Sequence, residues 1–174
     1  MSSTGVLLLL RLVHILSGVF WVGGFLLFAR FIFPSARALG PAAGPFMEQL
    51  VGVRKLPNAL ISCGVLTILS GIGLYAHDSA GFRSEWMSSS TGTVFGLGAL
   101  MAITALVIGV TVNAPVARRL SALSGQVQSQ GGPPTPEQAG EMQRLQHRLG
   151  AVVPVVMVLL LLATVAMALA RYVT

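Results

Sequence analysis

Few residues in this chain could do chemistry, and the one best placed is His14. It stands inside a run, Leu12 to Ala29, that carries no other ionisable group between Arg11 and Arg30. Arg11, Gly18 and Trp21 lie at i−3, i+4 and i+7 from it, so all four share one helical face. A histidine there could ligate haem iron, relay protons or hold a metal. It could equally hydrogen-bond a neighbouring helix while Arg11 extends its charge to the interface. The other histidines are differently placed. His77 closes a second apolar run, and His147 lies between Arg144 and Arg148. Bis-histidine haem ligation would need matching depth, and His14 is expected ~10 Å below the start of its helix while His77 is at the rim. Two b haems would need more histidines than the three present. The lone Cys63 lies within an apolar run and reads as a small packed side chain. There is no CxxC or Cys/His cluster for zinc, and the seven methionines are too dispersed for a copper path. Five acidic residues, none inside a span, give no support to hydrolase or kinase chemistry. The Gly71/Gly73 and Gly96/Gly98 spacings follow no strand and read as packing rather than phosphate loops. No catalytic residue and no metal site is assigned.

The elements that must position these residues are set by hydropathy. Of 174 residues, 54% are hydrophobic and 9% charged, and the mean hydropathy is +0.81. A soluble domain has about 25% charged residues. Four apolar runs are each about the ~20 residues an α-helix needs to cross hydrocarbon, and backbone in lipid must pair within its own segment. The expected fold is an all-α integral membrane four-helix bundle. It forms a single domain over 1–174, with spans at about 6–33, 56–77, 91–114 and 149–171. The connections are 34–55, 78–90 and 115–148.

Pro34 is expected to stop the first helix. In the connection after it, Phe46, Met47, Leu50 and Val51 recur at the spacing of a short amphipathic helix on the membrane surface. Pro57 suits a first turn. Pro115 should kink or end the third helix. The Ser/Gln/Gly/Pro stretch Ser124 to Thr135 reads as a flexible loop, followed by a polar helix from Pro136 to Arg148. The first run lacks a leading charge and is long for a signal sequence, so it is expected to be a retained helix.

Small residues are expected to bring the helices together. They are Ser17, Gly18, Gly23 and Gly24 on the first, Gly64, Ser70, Gly71 and Gly73 on the second, and Gly98, Ala102, Ala105 and Gly109 on the third. The fourth, with its Val and Leu run, reads as a wall facing lipid or a partner.

The formal charge is +6. The basic residues flank apolar runs, which points to membrane topology and away from nucleic acid. Arg30, Arg37, Arg54 and Lys55 fall in the first connection and Arg118, Arg119, Arg144 and Arg148 in the third. The other side has Arg11, Arg83 and Arg171. The positive-inside rule then puts both termini and the Arg83 loop outside a bacterial-type inner membrane.

The first helix, LRLVHILSGVFWVGGFLLFARFIFP, with its His-Ile, a Trp seven residues after the His, Gly-Gly, and Arg and Pro beyond, resembles the CopD-like superfamily. That group includes the copper-resistance D domain, HemJ-type protoporphyrinogen oxidases and an uncharacterised branch of four-helix proteins. RKLPNALISCGVLTILSGIGLY, Trp86, Ala117-Arg118-Arg119-Leu120 and VVPVVMVLLLL are similar in layout. The resemblance implies haem binding through the first-helix histidine, which is His14. It also implies a lysine shortly after Trp86 and a histidine late in the third helix. Met87 to Ser90 and Ile108 to Asn113 contain neither, so the chain is closest to the uncharacterised branch. The expected role is a non-catalytic accessory subunit packed against a larger membrane complex of respiratory or photosynthetic type, with the lipid bilayer and other integral membrane subunits as partners and no cofactor. The alternative is a haem-b redox protein with His14 as axial ligand, Arg11 on a propionate and Trp21 alongside. A copper or solute transporter comes last, since it would need a polar path through His14, Ser17, Ser62, Thr67, Ser70 and Thr104.

Overall fold

A computed structural model of the chain describes residues 3–173, so Met1, Ser2 and Thr174 of the single domain lie outside the described residues. The fold is an all-α bundle with no strand among those residues. Four helices are long and apolar enough to cross a membrane. The first is Thr4–Leu39, the second Leu56–Asp78, the third Ser90–Ser129 and the fourth Pro136–Tyr172.

The first and second helices form one antiparallel pair, and small residues set their separation. An added Cβ on Gly18 would meet the Thr67 methyl at 3.6 Å, and one on Gly24 would meet Leu60 at 3.0 Å. On the opposing helix, a Cβ on Gly64 would lie 2.9 Å from the Trp21 ring, and one on Gly73 would lie 3.2 Å from Leu10. The third and fourth helices form the other pair, where Gly98 leaves room for Ala166 at 3.0 Å. The expected small-residue contacts are met at Gly18, Gly24, Gly64, Gly73 and Gly98, while Gly23 and Gly109 face open space and make none.

The fourth helix departs from its expected role as an outer wall. Leu149, Val153, Val156, Leu160, Ala163 and Ala170 are all buried, Leu160 and Val156 to 1% exposure. These positions step by four and three, the period of a coiled-coil seam. Val155, Val158, Leu162 and Val165 on the other side are exposed. One face of this helix is therefore the spine of the core, and only the other is free for lipid.

Two prolines fail to stop their helices. The first helix runs through Pro34 to Leu39, and the third runs through Pro115 to Ser129. Each proline follows a π-helical turn, Phe28–Ile32 and Gly109–Asn113 respectively. The wider turn spares the proline ring the clash with the carbonyl four residues back. The first helix ends instead at Gly40, whose φ of +56° continues no right-handed helix. The stretch expected to be a loop from Ser124 is helical to Ser129. Thr135 then starts the fourth helix with a capping box. Its hydroxyl accepts from the Gln138 N–H at 3.2 Å, and the Gln138 side chain accepts from the Thr135 N–H at 2.9 Å. The polar helix expected from Pro136 and the fourth span are one continuous helix.

Two cross-links lie near the two ends of the second helix. At one end Arg118 donates to the Asn58 side chain at 2.9 Å. At the other, Arg171 lies 3.7 Å from the Asp78 carboxylate. The second helix between them has 23 residues, about 35 Å of rise, and so just covers the ~30 Å hydrocarbon core. The other three, at 36, 40 and 37 residues, are too long for it. Their excess lies at the Arg118 end, where the expected short helix, Gly44–Met47 with a π turn Glu48–Val53, packs on the third helix. Val51 is buried there. The result is a helical lobe at the basic end, extending past the end of the second helix.

At the Arg83 end an aromatic group closes the bundle. Trp86 meets Tyr75 edge-on at 5.0 Å and stacks on Phe95 at 6.5 Å. The Tyr75 hydroxyl donates to the Gly92 carbonyl at 3.2 Å. Such rings favour membrane interfaces, where one edge is wet.

Candidate functional site

His14 is half-buried between the first and second helices. Its Nδ1 lies 2.8 Å from the Thr67 carbonyl oxygen. A carbonyl can only accept, so Nδ1 carries a proton and donates it. The ring packs against Gly71, where a Cβ would fall 2.9 Å from Cε1. Around this contact the hydroxyls pair locally. Thr67 Oγ1 lies 2.8 Å from Ser17 Oγ and donates to the Cys63 carbonyl at 2.8 Å. Ser70 donates to the Leu66 carbonyl at 2.6 Å. Ser17 and Ser70 are buried. The cluster ties the two helices together with every hydroxyl matched, which is how buried polar groups in lipid avoid a desolvation penalty.

The other residues expected near a haem go elsewhere. Arg11 is exposed, and Trp21, only 4% exposed, packs its indole against Gly64 and Leu106. Neither His14 nor Arg11 lines either of the two cavities described below, and the one that Trp21 lines has a volume of about 60 Å³. His77 is exposed at its helix end, 3.2 Å from its neighbour Asp78, and His147 is exposed. No group of three His, Cys, Asp or Glu side chains suited to a metal ion occurs among the described residues. Of the six residues expected to line a transport path, four, His14, Ser17, Thr67 and Ser70, meet in the cluster between the first and second helices. Ser62 and Thr104 are exposed, and Thr104 donates to the Leu100 carbonyl of its own helix.

Two polar groups that sequence reasoning passed over occupy more open surroundings. Asn113, at the end of the third helix's π turn, is 9% exposed, and neither its amide nitrogen nor its oxygen has a hydrogen-bond partner. It lines the 60 Å³ cavity at the centre of the bundle, among Trp21, Phe25, Leu60, Val153 and Val156. A cavity of this size admits water-sized molecules. Its signal in the sequence is that it is the sole carboxamide in the third apolar run. Arg37 lines a cavity of about 460 Å³ in the basic-end lobe, between the extended first, third and fourth helices. The two cavities share Phe28, Ala117 and Leu149.

On the lobe's surface Arg119 donates to both oxygens of Glu141, at 2.8 and 3.2 Å. This bond, more than the Coulomb attraction that accompanies it, holds the Glu141 carboxyl below its ordinary range and raises the Arg119 guanidinium above its own. It joins the third helix to the fourth outside the bilayer zone.

Comparison with protein-family models, curated proteins and solved structures finds no match to the chain.

Proposed function

We propose that the protein is a non-catalytic integral membrane subunit that works by packing against a larger membrane assembly, in the layout of the uncharacterised CopD-like branch. The basic-end lobe faces the cytoplasm of a bacterial-type cell, following the distribution of Lys and Arg. The observation that carries the reading is the hydrogen bond from His14 Nδ1 to the Thr67 carbonyl. It braces the imidazole between the two helices, and the Ser17, Thr67 and Ser70 hydroxyls around it are matched locally.

Two further features suit a packing role. The lobe presents a preformed helical surface beyond the bilayer, and binding through preformed helices costs little ordering entropy. The first helix displays Leu12, Leu16, Val19 and Phe20, a face equally able to meet lipid or another span. Site-specific photo-crosslinking in native membranes tests the reading. Probes at Leu16 and Phe20 on the first helix, and at Leu100 and Val107 on the third, should give a crosslink to one membrane protein from one face only. Lipid adducts alone from all four positions would sink it.

A further inference from the structure

The lobe cavity has the features of a ligand site. Its volume, about 460 Å³, falls in the range of small-molecule pockets. Phe28, Phe33, Met47, Leu120 and Leu149 are among its apolar lining residues, Ser and Gln side chains of the third and fourth helices add polar groups, and Arg37 is the only charged residue among those that line it. No hydrogen bond or ion pair engages the Arg37 guanidinium among the described residues. Nη1 instead lies 3.7 Å from where a Cβ on Gly150 would stand, so the side chain reaches across from the first helix to the fourth. The nearby carboxylates leave this charge unmatched. Glu141 is held by Arg119, and Glu48 lies over Gly125. Neither lines the cavity.

A guanidinium over an apolar hollow, with no internal anion, matches a molecule with one acidic end and a hydrocarbon body. The inner wall, Phe28, Ala117 and Leu149, is shared with the cavity inside the bundle, so the deep end of the hollow adjoins that cavity. We infer that this cavity binds a single-chain carboxylic amphiphile of the fatty-acid class, its carboxylate on Arg37 and its chain against Phe28, Phe33, Met47 and Leu149. This does not depend on the accessory role proposed above.

Native mass spectrometry of the full chain in detergent, titrated with oleic acid and with oleyl alcohol, tests it. One oleate should bind per chain, and the alcohol should bind far more weakly. Arg37→Gln, at an exposed position, should weaken oleate roughly tenfold or more through loss of the charge-assisted hydrogen bonds and leave the alcohol unchanged. Leu149→Trp should block the chain; if that variant does not fold, Met47→Trp on the connector wall serves the same purpose. Loading oleate from vesicles should fill the site at least as well as adding it from solution. Equal binding of acid and alcohol, or unaltered binding by Arg37→Gln, would overturn the assignment. So would retention of a two-chain phospholipid in place of oleate.

Discussion

His14 and Asn113 show how one kind of residue, a polar side chain in hydrocarbon, can end in opposite states. His14 is matched to a carbonyl and braced against Gly71. Its replacement by alanine should lower stability by about 1 kcal/mol, the scale of hydrogen bonds between helices in membranes, as read by thermal unfolding in detergent. The purified protein should show no Soret band before or after that change; a band abolished by His14→Ala would establish a ligand role instead. Asn113 is unmatched, at a cost of about 1–3 kcal/mol for a buried amide without partners. Asn113→Leu, branched alike at Cγ and with the 60 Å³ cavity beside it to take the larger side chain, should therefore raise the unfolding temperature. A fall would mean that the carboxamide is satisfied by something held in the 60 Å³ cavity. The contrast was only half visible in the sequence. A histidine in an apolar run announces itself, but which carbonyl its Nδ1 meets depends on the register between two helices.

At the scale of elements, the sequence showed where the helices are more clearly than where they stop. Apolar runs located all four spans, because hydrocarbon leaves the backbone no alternative to helix. Their ends were misjudged at Pro34 and Pro115 because a π turn ahead of each proline removes the clash that would end the helix. The fourth helix was misjudged because burial there follows a four-three seam from Leu149 to Ala170, which a uniformly apolar run conceals. The capping box at Thr135 and Gln138 was legible in the T-x-x-Q spacing and agrees with the helix start expected at Pro136, whereas the other end of the loop was misjudged because the third helix runs on to Ser129. Gly98→Leu should separate the third and fourth helices, since the space beyond Gly98 is taken by Ala166 and Met167. A loss of about 1–3 kcal/mol is expected from overpacking, measured by unfolding in detergent. The Arg119–Glu141 pair adds a pH-dependent tie between the same helices outside the bilayer. Because Glu141 is held below its ordinary range, the tie is present above the unfolded carboxyl range and is lost as pH falls through the folded value. Glu141→Gln should flatten this acid-side loss of stability, an effect reduced by salt.

For the molecule as a whole, unequal helix lengths matter most. One helix is cut to the bilayer, and three overrun it on the side with eight of the eleven basic residues. A bundle built only to sit in lipid has no need of that excess. Its helical lobe gives the protein a surface on the cytoplasmic side in the proposed orientation, while the spans offer apolar faces within the membrane. Gentle digitonin extraction of the protein at its native level, followed by blue-native electrophoresis, tests the packing role most directly. The account predicts a band well above the 18.2 kDa chain and its detergent, which collapses to the free chain in harsher detergent. A single band of the lone chain under the gentlest extraction would contradict it.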